Sequence, residues 1–215
     1  MPMKTDTSVS TRVRRRAPRL APEARRAQLI ECATRVFARQ GIAGARHTEL
    51  AREAGVAVST TFAYFPTRED LVAAVLDSVE RLFVDLARRV HASDRPAPQI
   101  LLEHTRAFAD LVDEQPDATR VWLDWSSAVG GEYWPRYRAF EDRVASELAR
   151  TIARGQREGS INSEVAPNEG ARIMIGAAYQ IAQMKLSGRP RDEVATFLDA
   201  LVRIIAGGLA AGNAP

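Results

Sequence analysis

The 215-residue sequence predicts an all-α protein of about nine helices. Apolar residues recur at intervals of three and four over several long segments, as they do along one face of a helix. Clusters of Gly, Pro and Ser separate these segments. No segment of useful length alternates apolar and polar residues, as a half-buried β-strand would. The expected architecture is an N-terminal three-helix module followed by a larger helical body.

Composition limits the class of protein. Hydrophobic residues make up 46% of the chain, enough for a real core. No uninterrupted apolar run reaches the roughly 18 residues of a membrane-spanning helix. The N-terminus is arginine-rich but lacks the apolar stretch of a secretory signal. We therefore expect a cytoplasmic protein, and the single cysteine, Cys32, agrees with a reducing compartment.

The first 21 residues predict a basic arm without regular structure. Twelve basic and five acidic residues precede Pro66, a net charge of +7, so the remainder of this +3 chain carries −4. One interpretation of the arm is a solvated tail. We favour contact with DNA phosphates or the minor groove, because the arm leads directly into the most basic module.

A helix should begin at Pro22, a favoured first-turn residue, and run to about Gln40, where Gly41 ends it. Its apolar positions form one face, which predicts packing on a core. A second, short helix should span about Thr48 to Ala54. The small residues in it allow close approach of the next helix.

The stretch after this second helix predicts a helix-turn-helix. Gly55 can supply the positive φ of a tight turn, and Ser59 can cap the third helix. We expect Phe62 and Phe65 to anchor that helix in the core. Its exposed side would then carry Thr60, Thr61, Ala63 and Tyr64. The short Thr and Ala side chains can approach base edges, and Tyr64 and Arg68 are placed to hold the DNA backbone.

A long fourth helix should follow Thr67, whose side chain and that of Asp70 have capping-box spacing. It should end near Ala92. Five more helices are expected, near Gln99 to Glu114, Asp117 to Ala128, Pro135 to Glu158, Asn168 to Leu186 and Arg191 to Gly207.

The last two helices have more apolar positions than one stripe requires. They could be buried on both sides within one chain, or they could pack one face on the core and the other on a second copy. The second case predicts a two-fold four-helix seam. Its candidate residues are Ile173, Ala177, Ile181, Phe197, Leu201, Ile204 and Ile205.

Nothing in the sequence favours catalysis. The three histidines, His47, His91 and His104, are not at metal-ligand spacing with a carboxylate, and no Gly-rich phosphate loop or nucleophile elbow occurs. Cys32 lies among apolar residues and is best explained as a small buried side chain. We expect no catalytic residue, no metal site and no cofactor.

The residues of the predicted helix-turn-helix carry a family resemblance. The run Leu50-Ala51-x-x-Ala54-Gly55-Val56-x-x-Ser59-x-x-Phe62-x-Tyr64-Phe65-Pro66-x-Arg68-Glu69-Asp70-Leu71 resembles the DNA-binding domain of the TetR family of bacterial transcription regulators. Within that family, Phe37-Ala38-Arg39-Gln40-Gly41-Ile42 and Val121-Trp122-Leu123-Asp124-Trp125-Ser126 resemble the LuxR/HapR/SmcR group of quorum-sensing master regulators. The resemblance is strongest over residues 19–80.

The resemblance implies a homodimer that binds a pseudo-palindromic operator as a repressor or dual regulator. It matches the minor-groove arginines of the family to Arg15 and Arg19, and the recognition helix to Val58–Phe65. The sequence departs from the family pattern in two places. Ala63 replaces an asparagine that is usual on the recognition helix, which leaves the operator sequence open. Arg46-His47 replaces the usual Ser or Thr before the second helix, which leaves the N-cap of that helix open. The DNA-binding candidates are Arg15, Arg19, Arg25, Thr48, Ser59, Thr60, Thr61, Ala63, Tyr64 and Arg68.

The family also implies a small-molecule cavity in the helical body. Candidate lining residues are Phe83, Phe108, Trp122, Trp125, Phe140, Glu141, Ala178 and Met184, although each aromatic could equally be ordinary core. Glu141 and Ala178 stand where the LuxR-like group has polar asparagine and cysteine residues. A buried Glu141 would favour a cationic ligand.

The sequence thus predicts a basic arm over residues 1–21, a DNA-binding domain over 22–68, and a regulatory and dimerisation domain over 69–210. The expected function is sequence-specific regulation of transcription on double-stranded DNA, by a homodimer that responds to a small molecule and associates with the bacterial nucleoid. The alternative is a helical small-molecule-binding or interaction protein without specific DNA recognition. Binding to duplex DNA separates the two.

Overall fold

The computed structural model describes residues 21–208, with side chains described up to residue 204. This part of the chain forms nine α-helices and no strand, which confirms the predicted fold class. The helices are α1 Pro22–Gly44, α2 His47–Ala54, α3 Val58–Tyr64, α4 Arg68–His91, α5 Ala97–Glu114, α6 Pro116–Ser127, α7 Trp134–Arg157, α8 Pro167–Leu186 and α9 Arg191–Gly208.

Helices α1, α2 and α3 form the N-terminal head, in which α2 packs on both α1 and α3. The regular path of α1 is broken at Gly41, whose φ of 74° lies in the left-handed region. Gly55, with φ of 65°, ends α2 in the left-handed conformation. Both glycines therefore act as the sequence predicted, because residues with a Cβ rarely adopt that conformation.

Helix α4 joins the head to the body over roughly 36 Å. The predicted capping box is present: the backbone N–H of Asp70 donates to Thr67 Oγ1 at 3.0 Å, and Asp70 Oδ2 accepts from the backbone N–H of Thr67 at 3.0 Å. This arrangement satisfies backbone donors that a helix start leaves without partners. Along its length α4 packs against α1, α5, α6 and α7.

The body is built from α5 to α9 around the far part of α4. Helix α8 packs on α5 and α7, and α9 covers α5 and α8. One continuous cluster of buried side chains extends from Leu29 in α1 through Trp125 in α6 to Ile181 in α8. The division of the chain at residues 68 and 69 stays a prediction from the sequence. No helix within residues 21–208 has the length and apolar character needed to cross a bilayer.

Candidate nucleic-acid interface and effector cavity

Helix α3 presents an outer face of mostly small side chains. Ser59 and Ala63 are exposed, and Thr60 and Tyr64 are half-buried. These four predicted DNA contacts therefore lie where a duplex could approach them. The predicted cap is wrong, however: α3 begins at Val58 after an extended Ala57, with no side-chain cap, so Ser59 lies inside the first turn.

Thr61 and Phe62 have exchanged the roles predicted for them. Thr61 is fully buried, and its Oγ1 donates to the carbonyl of Val58 at 2.7 Å, so it is not a DNA contact. Phe62 is 47% exposed, while Phe65 is buried as predicted. In a helix of two turns, a small rotation about the axis decides which of two adjacent residues faces inward.

His47 fixes α3 to α2, a role that sequence reasoning missed. Its ring is stacked on that of Phe62, with centroids 4.0 Å apart and planes 2° from parallel. Its Nε2 is 2.7 Å from the carbonyl oxygen of Phe65 and donates to it in the tautomer that carries the proton there. The sequence held one signal of this role, the missing Ser or Thr at the start of α2.

We expect His47→Ala to lower the free energy of unfolding by roughly 2–4 kcal/mol, because it leaves the Phe65 carbonyl without a donor and removes the aromatic stack. Urea denaturation measures this loss, and fluorescence anisotropy on duplex DNA should show weaker binding. His47→Gln, which can still donate to Phe65, serves as the matched control. Equal stability of His47→Ala and the wild type would contradict the assigned role.

The end of α1 is held by two charged residues, one at the start of α4 and one in α6. Arg68 Nη2 donates to the carbonyls of Ile42 at 2.6 Å and Ala43 at 3.2 Å. Asp124 of α6 accepts from the backbone N–H of Ile42 at 2.8 Å. Arg68, predicted as a DNA contact, is thus half-buried and engaged within the protein. Both polar backbone groups of Ile42 are held, one by α4 and one by α6.

Four other basic residues, all in α1, have partners within the protein. Arg35 Nε and Arg39 Nη2 lie 2.8 Å and 2.6 Å from the carboxylate of Glu53, and these hydrogen bonds hold the pKa of Glu53 below its ordinary value. Arg25, a predicted DNA contact, is half-buried and donates to Gln28 at 2.6 Å. The guanidinium of Arg26 lies 5.5 Å from the ring centre of Phe65.

The remaining DNA candidates are Thr48, Arg15 and Arg19. Thr48 is exposed in the first turn of α2, and its hydroxyl donates to Glu49 at 2.9 Å. Arg15 and Arg19 lie outside the described residues. Among the described candidates, the exposed surface of the head therefore carries Thr48 together with the outer face of α3.

A mainly apolar cavity of about 40 Å³ lies in the body between α4, α5, α6, α7 and α8. Six of the predicted residues line it: Phe83, Phe108, Trp122, Phe140, Glu141 and Ala178. Two others do not. Trp125 is fully buried, with its Nε1 donating to the carbonyl of Tyr133 at 2.9 Å, and Met184 is half-buried outside the lining.

Polar groups gather where α7 and α8 meet at this cavity. The hydroxyl of Tyr137 donates to Glu141 at 3.0 Å and is in contact with the hydroxyl of Tyr179. The ring of Tyr179 stacks on Trp122, with centroids 4.4 Å apart. Burial, and then the nearby Asp142, raise the pKa of Glu141. Tyr137 was missed as a lining residue because nothing in the sequence shows which aromatics face the cavity.

A pair of histidines lies at the cavity, and one of them, His104, belongs to its lining. His91 Nε2 is 3.1 Å from His104 Nδ1, and His91 Nδ1 is 2.7 Å from the hydroxyl of Thr151. Burial is the largest effect on both rings, and it lowers the pKa of His91 to about 4 and that of His104 to about 3. The positive charges of Arg150 and Arg154 also lower the pKa of His91. Both rings are therefore neutral at neutral pH.

We expect stability to fall as the pH drops from about 6.5 to about 4. In this window the unfolded chain binds protons at these histidines while the folded protein does not, so protonation favours unfolding. The shift of His91 alone corresponds to roughly 3 kcal/mol. Urea denaturation at a series of pH values measures the slope, and His91→Gln should flatten it. An unchanged slope in that variant would contradict the explanation.

The outer surface of α8 and α9 exposes two large apolar residues, Ile173 at 67% and Ile204 at 69%. Ala177, Phe197 and Leu201 are half-buried. Ile181 is 1% exposed and belongs to the core of the chain, so its assignment to the seam between copies is corrected. The side chain of Ile205 lies outside the described residues.

The comparisons with known proteins agree with this geometry. Residues 29–75, which contain most of the head, match the family model described as bacterial regulatory proteins, tetR family. The chain is 31% identical over 191 residues to the HTH-type transcriptional regulator LuxR of Vibrio harveyi, a match that covers 87% of this chain and 91% of that protein. The chain belongs to the TetR family. It is therefore a DNA-binding transcriptional regulator of the helix-turn-helix type.

One further relative in sequence and two solved structures are also similar to this chain. An HTH-type transcriptional repressor of Streptomyces coelicolor is 42% identical over 170 residues, covering 76% of this chain and 83% of that protein. The fold matches the FadR regulator of Bacillus subtilis in complex with stearoyl-CoA, at 17% identity and a TM-score of 0.73 over 85% of this chain and 98% of FadR. It also matches a regulator from Saccharomonospora viridis in complex with choline, at 22% identity and a TM-score of 0.74. This match covers 87% of this chain and 98% of that chain.

Proposed function

We propose that this TetR-family regulator binds a pseudo-palindromic operator as a homodimer and changes its affinity when a small molecule enters the cavity of the body. The observation that carries the DNA-binding part is the outer face of α3, where Ser59, Thr60 and Ala63 are accessible. Short side chains let a helix approach base edges in the major groove. Tyr64 is positioned beside them for a phosphate contact, which orients the protein without specifying sequence.

The two heads of the dimer must reach successive major grooves, so their α3 helices should lie roughly 34 Å apart. Arg15 and Arg19 would add contacts in the adjacent minor groove. These contacts fix the position of α3, and the bases that it reads depend on its few exposed side chains. Since Ala63 lacks an amide, the operator is not expected to depend on a bidentate adenine contact at that position.

Two helices that reach from the cavity wall to the end of α1 support a coupling between the cavity and the head. Helix α6 carries both Trp122, in the cavity wall, and Asp124, which holds the N–H of Ile42. Helix α4 carries both Phe83, in the wall, and Arg68, which holds the carbonyl of Ile42. In this proposal the effector pushes on Phe83 and Trp122 and so moves α4 or α6. We propose that this movement changes the spacing of the heads and so selects between two states.

The dimer in this proposal forms through the outer surface of α8 and α9. Ile173 and Ile204 are the large apolar residues exposed there, and a second copy of the same surface would bury them. The role in quorum sensing stays a prediction from the resemblance to the LuxR-like group.

Selection of bound sequences from a random duplex pool tests this function. The expected result is an inverted repeat whose half-sites are centred about 10 base pairs apart. A variant with alanine at Arg15, Arg16 and Arg19 should bind every selected sequence more weakly, because it loses phosphate and minor-groove contacts. If no sequence is enriched over the starting pool, specific operator recognition is wrong.

A further inference from the structure

The cavity carries a single acidic group in an otherwise apolar and aromatic lining. Four of its aromatic residues, Phe83, Phe108, Trp122 and Phe140, form a connected group with ring centroids 5.3 to 6.3 Å apart. Glu141 is the one carboxylate among the described lining residues. His104 is the one basic residue, and burial keeps it neutral at neutral pH. The formal charge of this lining is therefore negative.

No cationic side chain among the described residues pairs with Glu141. None of the ion pairs between described residues includes it, and Arg138 and Arg172 act on it only by attraction at longer range. Its hydrogen bond from Tyr137 satisfies one lone pair of one oxygen. A carboxylate that is partly desolvated without an opposite charge is unfavourable, and a bound cation would relieve that cost.

Three kinds of ligand would meet this lining differently. An anion would be repelled by Glu141, and a neutral apolar molecule would cover its carboxylate without pairing it, which is costly. An organic cation would pair with Glu141 and place its apolar groups against the aromatic faces. Aromatic rings attract cations within about 6 Å of the ring centre.

We propose that the effector of this regulator is a hydrophobic organic cation, bound by pairing with Glu141 and by contact with the aromatic residues of the cavity. This inference rests on the proposed function of the cavity as the effector site. A volume of 40 Å³ holds only a few water molecules. The cation must therefore separate lining side chains, and the contact between Tyr137 and Tyr179 is one that its entry would disturb.

Three probes of similar shape test the charge preference on the 215-residue protein. They are benzyltrimethylammonium, its neutral carbon analogue neopentylbenzene, and the anion phenylacetate. Binding is measured by quenching of tryptophan fluorescence, because Trp122 lies in the cavity wall. The expected result is at least tenfold tighter binding of the cation than of either other probe.

Two substitutions with the same change in net charge test the residue. Glu141→Gln keeps an acceptor for Tyr137 and should weaken cation binding at least tenfold without weakening the neutral probe. Asp142→Asn, at the exposed neighbouring position, should leave cation binding within about twofold. Affinity for the cation should also rise with pH through the titration of Glu141 in the wild type, and this dependence should vanish in Glu141→Gln.

The outcomes separate this inference from the function on which it rests. Tighter binding of neopentylbenzene or phenylacetate, or equal cation binding by Glu141→Gln and the wild type, overturns the cation and leaves the cavity as an effector site. Failure of all three probes to bind, at up to millimolar concentration for the two ions and up to its solubility for neopentylbenzene, overturns both. A melting temperature of Glu141→Gln equal to or above that of the wild type shows that its loss of binding is not a loss of fold.

Discussion

An Ala63→Glu variant should bind the selected operator roughly 100-fold more weakly than the wild type. Ala63 is exposed on the outer face of α3, so its substitution does not disturb the core of the head. In the proposed complex, a carboxylate at this position would approach the DNA phosphates and base edges. Like charges brought together at an interface cost several kcal/mol, and each 1.4 kcal/mol corresponds to tenfold in affinity.

Fluorescence anisotropy with a labelled operator duplex measures this effect, and circular dichroism verifies that the helices are intact. Ala128→Glu supplies the matched control, because Ala128 is an exposed alanine at the end of α6 in the body. Ala128→Glu changes the net charge by the same amount as Ala63→Glu, but at a position outside α3. If the two variants lose affinity equally, the effect is one of overall charge, and α3 is not the element that enters the groove.

An Ile204→Asp variant should be monomeric at micromolar concentration and should lose operator affinity at the same time. Ile204 is 69% exposed in the single chain and lies on the surface that we propose to be the seam. A charge buried there without a partner opposes association by several kcal/mol. A monomer also loses the advantage of two linked heads, which is worth about 10²–10⁴ in affinity. We therefore expect operator binding to fall at least 100-fold.

Light scattering gives the oligomeric state, and anisotropy on the operator gives the affinity of the same sample. Val129→Asp is the control, since Val129 is even more exposed, at 73%, but lies in the loop after α6. It should remain dimeric and bind normally. A monomeric Ile204→Asp that keeps full operator affinity would show that dimerisation and DNA binding are not coupled.

Features that depend on neighbours within a few residues could be predicted from the sequence. The capping box of Thr67 and Asp70 and the glycine turns at Gly41 and Gly55 are examples. Each of these is set by the local backbone and by the chemistry of its own side chains. The length and spacing of the apolar segments, for the same reason, gave bounds close to those of all nine described helices.

Features that depend on contacts between distant segments were missed or misassigned. The bonds of His47 with Phe65 and of Arg68 with Ile42 join residues 18 and 26 positions apart. Asp124 and Ile42 are 82 positions apart. Sequence periodicity shows which residues share one face of a helix, but it does not show which other helix covers that face.

The sequence by itself thus determined an all-α regulator with a helix-turn-helix head, because helical spacing, caps and turn residues act over short distances. Only the tertiary structure decided that Thr61 turns inward while Phe62 packs on His47, and that Arg68 holds the end of α1. It also decided that Glu141, and not Trp125, lines the cavity. The physical reason is that side-chain direction is fixed by close packing among helices that meet only when the whole chain has folded.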